Sequence, residues 1–100
     1  MIKMEIAKLE SKAEEATVLL TAMANPKRLL ILCELLNGER NVSELGEKVG
    51  LAQSPLSQHL SKLRAWNMVK TRRDGQQVYY TIASDEVRQV IETLYRIYCA

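Results

Sequence analysis

Between Ser54 and Lys62 the chain carries two chemistries on opposite sides of a helical repeat. Leu56, Leu60 and Leu63 recur on one side, and Ser54, Ser57, Gln58, Ser61 and Lys62 on the other. Short hydroxyl and amide side chains donate and accept hydrogen bonds, so a helix presenting them suits the base edges of a major groove. The next stretch, MVKTRRDGQQVYYTI, alternates polar and apolar residues around Asp74-Gly75, a pair that favours a type I′ hairpin turn. Lys70, Arg72 and Arg73 on such a ribbon would meet phosphates. Expected contacts to double-stranded DNA are therefore Ser54, Ser57, Gln58, His59 and Lys62 from the helix. Lys70, Arg72, Arg73, Gln76 and Gln77 would act from the wing.

Three further side chains could do chemistry. His59 is the only histidine, and a zinc site normally takes four ligands or three and a water, so it reads as a DNA contact or a cap. Cys33, inside LLILCELL, reads from its neighbours as a small buried hydrophobe. Cys99 is one residue from the chain end, where a core cysteine is not expected. The pair lacks the C-x-x-C spacing of an oxidoreductase, and no Cys-His-acid set can be assembled, so no enzyme activity is expected. At this level packing and thiol chemistry both remain open for the cysteines.

The charge distribution supports the same segment. The net charge is only +2, but residues 53–82 carry Lys62, Arg64, Lys70, Arg72 and Arg73 against Asp74 alone. Such a concentration is the electrostatic footprint of nucleic-acid binding. One hundred residues support one core, so residues 1–100 are expected to form a single domain. At 47% apolar and 26% charged residues the composition is that of a globular protein. The longest apolar run, Leu29 to Cys33, is too short for a membrane span. MIKMEIAKLESKAEE has no apolar signal segment, which implies the cytoplasm.

The elements that must position these residues follow from periodicity and caps. Residues 5–23 predict one long helix with Ile6, Leu9, Ala13, Ala16 and Leu20 on one side. Asn25-Pro26 predicts a cap and first residue for a second helix ending at Gly38. Ser43 is expected to cap a third helix ending at Gly50, and Ser54, followed by Pro55, a fourth ending at Asn67. Met68–Arg73 and Gln76–Ile82 form the hairpin. Ser84 caps a last helix whose Val87, Val90, Ile91, Leu94, Ile97 and Tyr98 make an apolar stripe. The expected class is mainly α with a small β-hairpin: helix, helix, helix-turn-helix, hairpin, helix, a winged helix-turn-helix. The terminal helices carry more apolar surface than the small centre covers, which predicts a homodimer through them. A monomer packing both helices internally, and a winged domain that binds only protein, are the alternatives.

The order of elements, ANPKRLLIL, the SPLSQHLSKLR helix and the DGQQVYYTI wing resemble the ArsR/SmtB family of dimeric bacterial repressors. The resemblance covers nearly the whole chain, with Asn67-Met68-Val69 where the family often has Gly-Leu-Val. Many members sense metals. Here NVSELGEKV holds no cysteine and the last helix no histidine, so neither a metal nor another cofactor is expected. ILCELL and RIYCA instead resemble the persulfide- and redox-sensing branch, which bridges one cysteine of the second helix to one near the end of the last. The resemblance implies a repressor or anti-repressor in which Cys33 and Cys99 respond to reactive sulfur species or oxidants.

Overall fold

A computed structural model describes residues 3–99. It contains α1 (Ile6–Glu10), α2 (Ala13–Met23), α3 (Pro26–Leu36), β1 (Arg40–Asn41), α4 (Val42–Val49), α5 (Gln53–Ala65), β2 (Val69–Asp74), β3 (Gln77–Ile82) and α6 (Asp85–Tyr98). The mainly α class, the hairpin and the helix order agree with the sequence expectation. No single helix among the described residues is long and apolar enough to cross a membrane.

The expected first helix is two. The Ser11 hydroxyl donates to Lys8 O at 2.8 Å, and the Lys12 amide turns back to Leu9 O. Lys12 then leaves helical geometry at φ −117°, ψ 6°. A serine that bonds the preceding turn competes with the helical ladder, which is the physical reason for the break. None of the α1 side chains is buried.

Asn25 behaves as predicted: its Oδ1 accepts from the Lys27 and Arg28 amides, and Pro26 opens α3. Two other caps differ from expectation. Asn41, not Ser43, caps α4, because Asn41 and Glu44 satisfy each other's amides at 2.9 Å in a capping box. Helix α5 starts at Gln53 with Ala52 as its uncapped N-cap, so Ser54 and Pro55 fall inside the first turn. Proline is tolerated there because first-turn amides have no helical partner. The Ser54 hydroxyl is consequently free for other partners.

Gly50 closes α4 at φ +69°, and a Cβ on Gly46 would lie 3.0 Å from Leu51 O. That close approach lets α5 follow α4 after a short turn. Asn67 ends the α5 region at φ +61°, as its tolerance of left-handed backbone suggested. The three-stranded antiparallel sheet has the order β1-β3-β2, with β1 a strand the sequence did not announce. The hairpin loop is Gly75-Gln76 rather than Asp74-Gly75, since Asp74 pairs with Gln77. Of the two loop residues only Gly75 takes positive φ, as a type II′ turn requires; a type I′ turn would have needed positive φ at Gln76 as well. Ile31, Leu32, Leu45, Leu56, Leu60, Leu63 and Val87 are the fully buried centre, joining α3, α4, α5 and α6.

The terminal helices end differently. Val87 and Ile91 of α6 are buried, but Tyr95, Ile97 and Tyr98 are exposed. Met4, Ile6, Leu9 and Leu20 are exposed at the other end of the chain.

Candidate nucleic-acid interface and thiol pair

Helix α5 is held from one side by Leu56, Leu60 and Leu63, each no more than 1% exposed. That anchoring turns Ser54, Ser57, Gln58, Ser61 and Lys62 outward, where they share one open, shallow surface. His59 lies apart, on the flank. It is half-buried, and its Nδ1 is shielded from solvent with no hydrogen-bond partner. Burial holds its pKa below the usual histidine value, and the positive charges of Arg28 and Lys62 add to this. Neutral imidazole is therefore the form at neutral pH.

Behind that flank Arg28 joins three helices. Its Nε donates to Ala22 O at 2.9 Å and its Nη2 to Thr21 O at 3.0 Å, satisfying carbonyls at the end of α2. Its guanidinium also lies 5.3 Å from the centroid of Trp66, the C-cap of α5. Helices α2, α3 and α5 are thus fastened at one residue, which sequence reading passed over.

In the wing, Lys70, Arg72, Arg73, Gln76 and Gln77 are all exposed. Lys70, Arg72 and Asp74 share a face with Gln77, Tyr79 and Thr81, whereas Arg73 pairs with Val78 on the other. The cations are not equivalent. Arg72 donates to Glu39 through Nε at 2.8 Å and Nη2 at 2.7 Å, and stacks 4.6 Å from the Tyr79 ring centroid. Its hydrogen bonds hold the Glu39 carboxyl below the usual range, and Glu39 in turn raises Arg72. Lys62, Lys70 and Arg73 make no salt bridge to the described residues. Glu39 was missed because its partner is 33 positions away.

The cysteines lie away from that surface, on α3 and at the end of α6. Cys33 is half-buried on α3, beside an open groove lined by Leu36, Ile91, Glu92, Tyr95 and Arg96. Cys99 is exposed and caps the end of α6, its amide donating to Tyr95 O at 2.8 Å. Burial pushes the Cys33 thiol up, followed by the charges of Glu34 and of Cys99 itself. A thiol so raised is a weak nucleophile at neutral pH, and the exposed Cys99 is the better placed to meet a reagent first. Among the described residues, no group of three or more His, Cys, Asp or Glu is arranged to hold a metal.

Residues 25–71 match the family described as bacterial regulatory protein, arsR family. The chain is 49% identical to the transcriptional activator HlyU of Vibrio cholerae, over 96% of this chain and 89% of the relative. The structure of reduced HlyU superposes with a TM-score of 0.87, covering 93% of this chain and 98% of that one. The transcriptional repressor BigR from Xylella fastidiosa superposes with a TM-score of 0.91 at 37% identity, covering 97% and 99% of the two chains. The homodimeric winged helix-turn-helix DNA-binding domain Mb0332 from Mycobacterium bovis gives 0.78 at 28% identity, covering 97% and 89%.

Proposed function

This chain belongs to the arsR family of bacterial regulatory proteins, and from that premise we propose that it is a homodimer whose affinity for operator DNA is controlled by Cys33 and Cys99. That it is a DNA-binding transcriptional regulator and not an enzyme follows from the family. The dimer, the contact residues and the thiol switch are our reading.

The single observation that supports the switch is that Cys33 lines the α3–α6 groove while Cys99 ends α6 near enough to influence the Cys33 thiol electrostatically. Oxidation of the pair removes two electrons and two protons, reducing a peroxide to water or a sulfane sulfur to sulfide. The product ties α3 to the end of α6. Since Tyr95, Ile97 and Tyr98 stand exposed on that same end, a tie there acts on the surface a second copy would cover. The exposed Met4, Ile6, Leu9 and Leu20 supply the matching apolar surface at the other end of the chain. A two-fold pair sets the two α5 helices about 34 Å apart, one turn of DNA.

On each protomer Ser57 and Gln58 are assigned to base edges, with Ser54 and Lys62 on the same surface and His59 at its flank. Lys70, Arg73, Gln76 and Gln77 are assigned to phosphates or the adjacent minor groove, while Arg72 is occupied by Glu39. HlyU is named an activator and BigR a repressor, so the fold serves either sign of regulation.

The assignment is tested by selecting duplexes from a random library with the reduced protein. Enrichment of a pseudo-palindrome with half-sites about one helical turn apart is expected. Gln58→Ala should then relax preference at one base position of each half-site while leaving salt dependence unchanged. Failure to enrich any sequence at low salt would refute the operator reading.

A further inference from the structure

We propose that Glu39 and Arg72 form a lock that sets the angle of the wing. Arg72 is then a positioning residue, not a phosphate contact. The inference rests on the reading that the wing meets DNA.

The sheet is three-stranded over only two rungs, Arg40↔Tyr80 and Asn41↔Tyr79. Arg72 is the β2 partner of Tyr79, and so sits at the last rung where a third strand is present. Outboard of it lie Arg73↔Val78, Asp74↔Gln77 and the Gly75-Gln76 loop, a bare two-stranded ribbon. Such a ribbon is marginally ordered by itself. Its root therefore decides where Arg73 and Gln76 point.

At that root the Arg72 fork grips Glu39 by two bonds and lies over Tyr79. Glu39 precedes β1 by one residue, and β1 ends in Asn41, the cap of α4. The lock thus joins the wing to the start of the helix-turn-helix unit. A fork of this kind fixes direction as well as distance, which a point charge does not. Glu39 also cancels the charge that Arg72 would otherwise offer a phosphate.

The two roles predict opposite signs. Were Arg72 a phosphate contact held back by Glu39, then Glu39→Gln would free it, remove a negative charge from the interface and tighten binding. As a lock, Glu39→Gln loosens both wings and weakens binding about two- to five-fold per wing, the size of one exposed pair's contribution. Arg72→Lys keeps the charge but loses the fork, and should weaken binding equally. Combining the two should be no worse than either alone.

The experiment measures affinity for a selected operator duplex across salt for Glu39→Gln, Arg72→Lys, Arg72→Ala and Arg73→Ala. Amide hydrogen exchange of residues 73–78 in the free proteins is followed in parallel. Weaker binding, unchanged salt slopes and faster exchange in the Glu39 and Arg72 variants support the lock. Tighter binding by Glu39→Gln overturns it, as does a slope reduced by about 1.8 per dimer in Arg72→Ala. Unaltered exchange in Glu39→Gln overturns it also. If Arg73→Ala leaves the slope unchanged, the wing does not meet DNA and both readings fall. If that slope drops while the Glu39 and Arg72 variants bind normally, the lock alone falls.

Discussion

Arg73→Ala should change how binding depends on salt more than how it depends on sequence. Lys62, Lys70 and Arg73 are exposed and carry no salt bridge among the described residues, whereas Arg72 is neutralised by Glu39. A dimer that places all three on phosphates makes six contacts, for a log–log salt slope of about −5.4. Affinity should then fall about 1,800-fold between 50 and 200 mM monovalent salt. Arg73→Ala removes two contacts per dimer, which brings the slope to about −3.6 and the fall over the same range to about 150-fold. Fluorescence anisotropy of a labelled operator duplex, titrated at five or more salt concentrations, resolves that difference. The fold should be unaffected, because Arg73 is exposed near the tip of the hairpin. An Arg73→Ala slope equal to the wild-type slope would refute the assignment of the wing to phosphates.

Other predictions concern local structure and the thiols. Asn25→Ala removes the acceptor for two amides and should cost about 1 kcal/mol in urea unfolding; an unchanged midpoint contradicts that cap. Asn67→Gly should be at least as stable as the parent, whereas Asn67→Val should lose about 1–2 kcal/mol because its φ is +61°. Cys33 should alkylate after Cys99 at pH 7, because burial and the neighbouring Glu34 carboxylate keep it protonated. Its rate should climb as pH rises past the ordinary thiol range, and peptide mapping after timed iodoacetamide treatment would show the reverse order if the reasoning is wrong. Ile97→Asp places a charge on an exposed apolar end and should shift sedimentation toward the monomer without lowering helix content.

The elements were legible where one local signal dominates. Leu56, Leu60 and Leu63 recur at helical spacing, and all three are buried. Asn25-Pro26, Asn67 and Ser84 act where their backbone preferences placed them. Misreadings arose where two local signals compete. Ser43 and Asn41 both resemble caps, and the reciprocal Asn41–Glu44 pair prevails because it satisfies two amides at once. Asp74-Gly75 resembles a type I′ turn, yet the register passes Asp74 into the strand and leaves Gly75 to take the positive φ. The break after α1 hides in Ser11, whose side chain bonds backward at no cost visible to periodicity. Arg72 looked like any wing cation, since nothing in its neighbourhood announces Glu39. Arg28 was passed over because nothing local marks it, and it is buried between the end of α2 and Trp66.

If the chemistry of Cys33 and Cys99 controls operator affinity, one sample reports both. The reduced dimer is treated with inorganic polysulfide, its intact mass is recorded, and its operator affinity is measured before treatment, after treatment and after reduction by dithiothreitol. An intramolecular bridge with both thiols lost, a matching fall in affinity, and recovery of both on reduction are expected. Cys99→Ser should neither form the bridge nor change affinity. A fully bridged protein that binds its operator as tightly as the reduced form would refute control of DNA binding by Cys33 and Cys99.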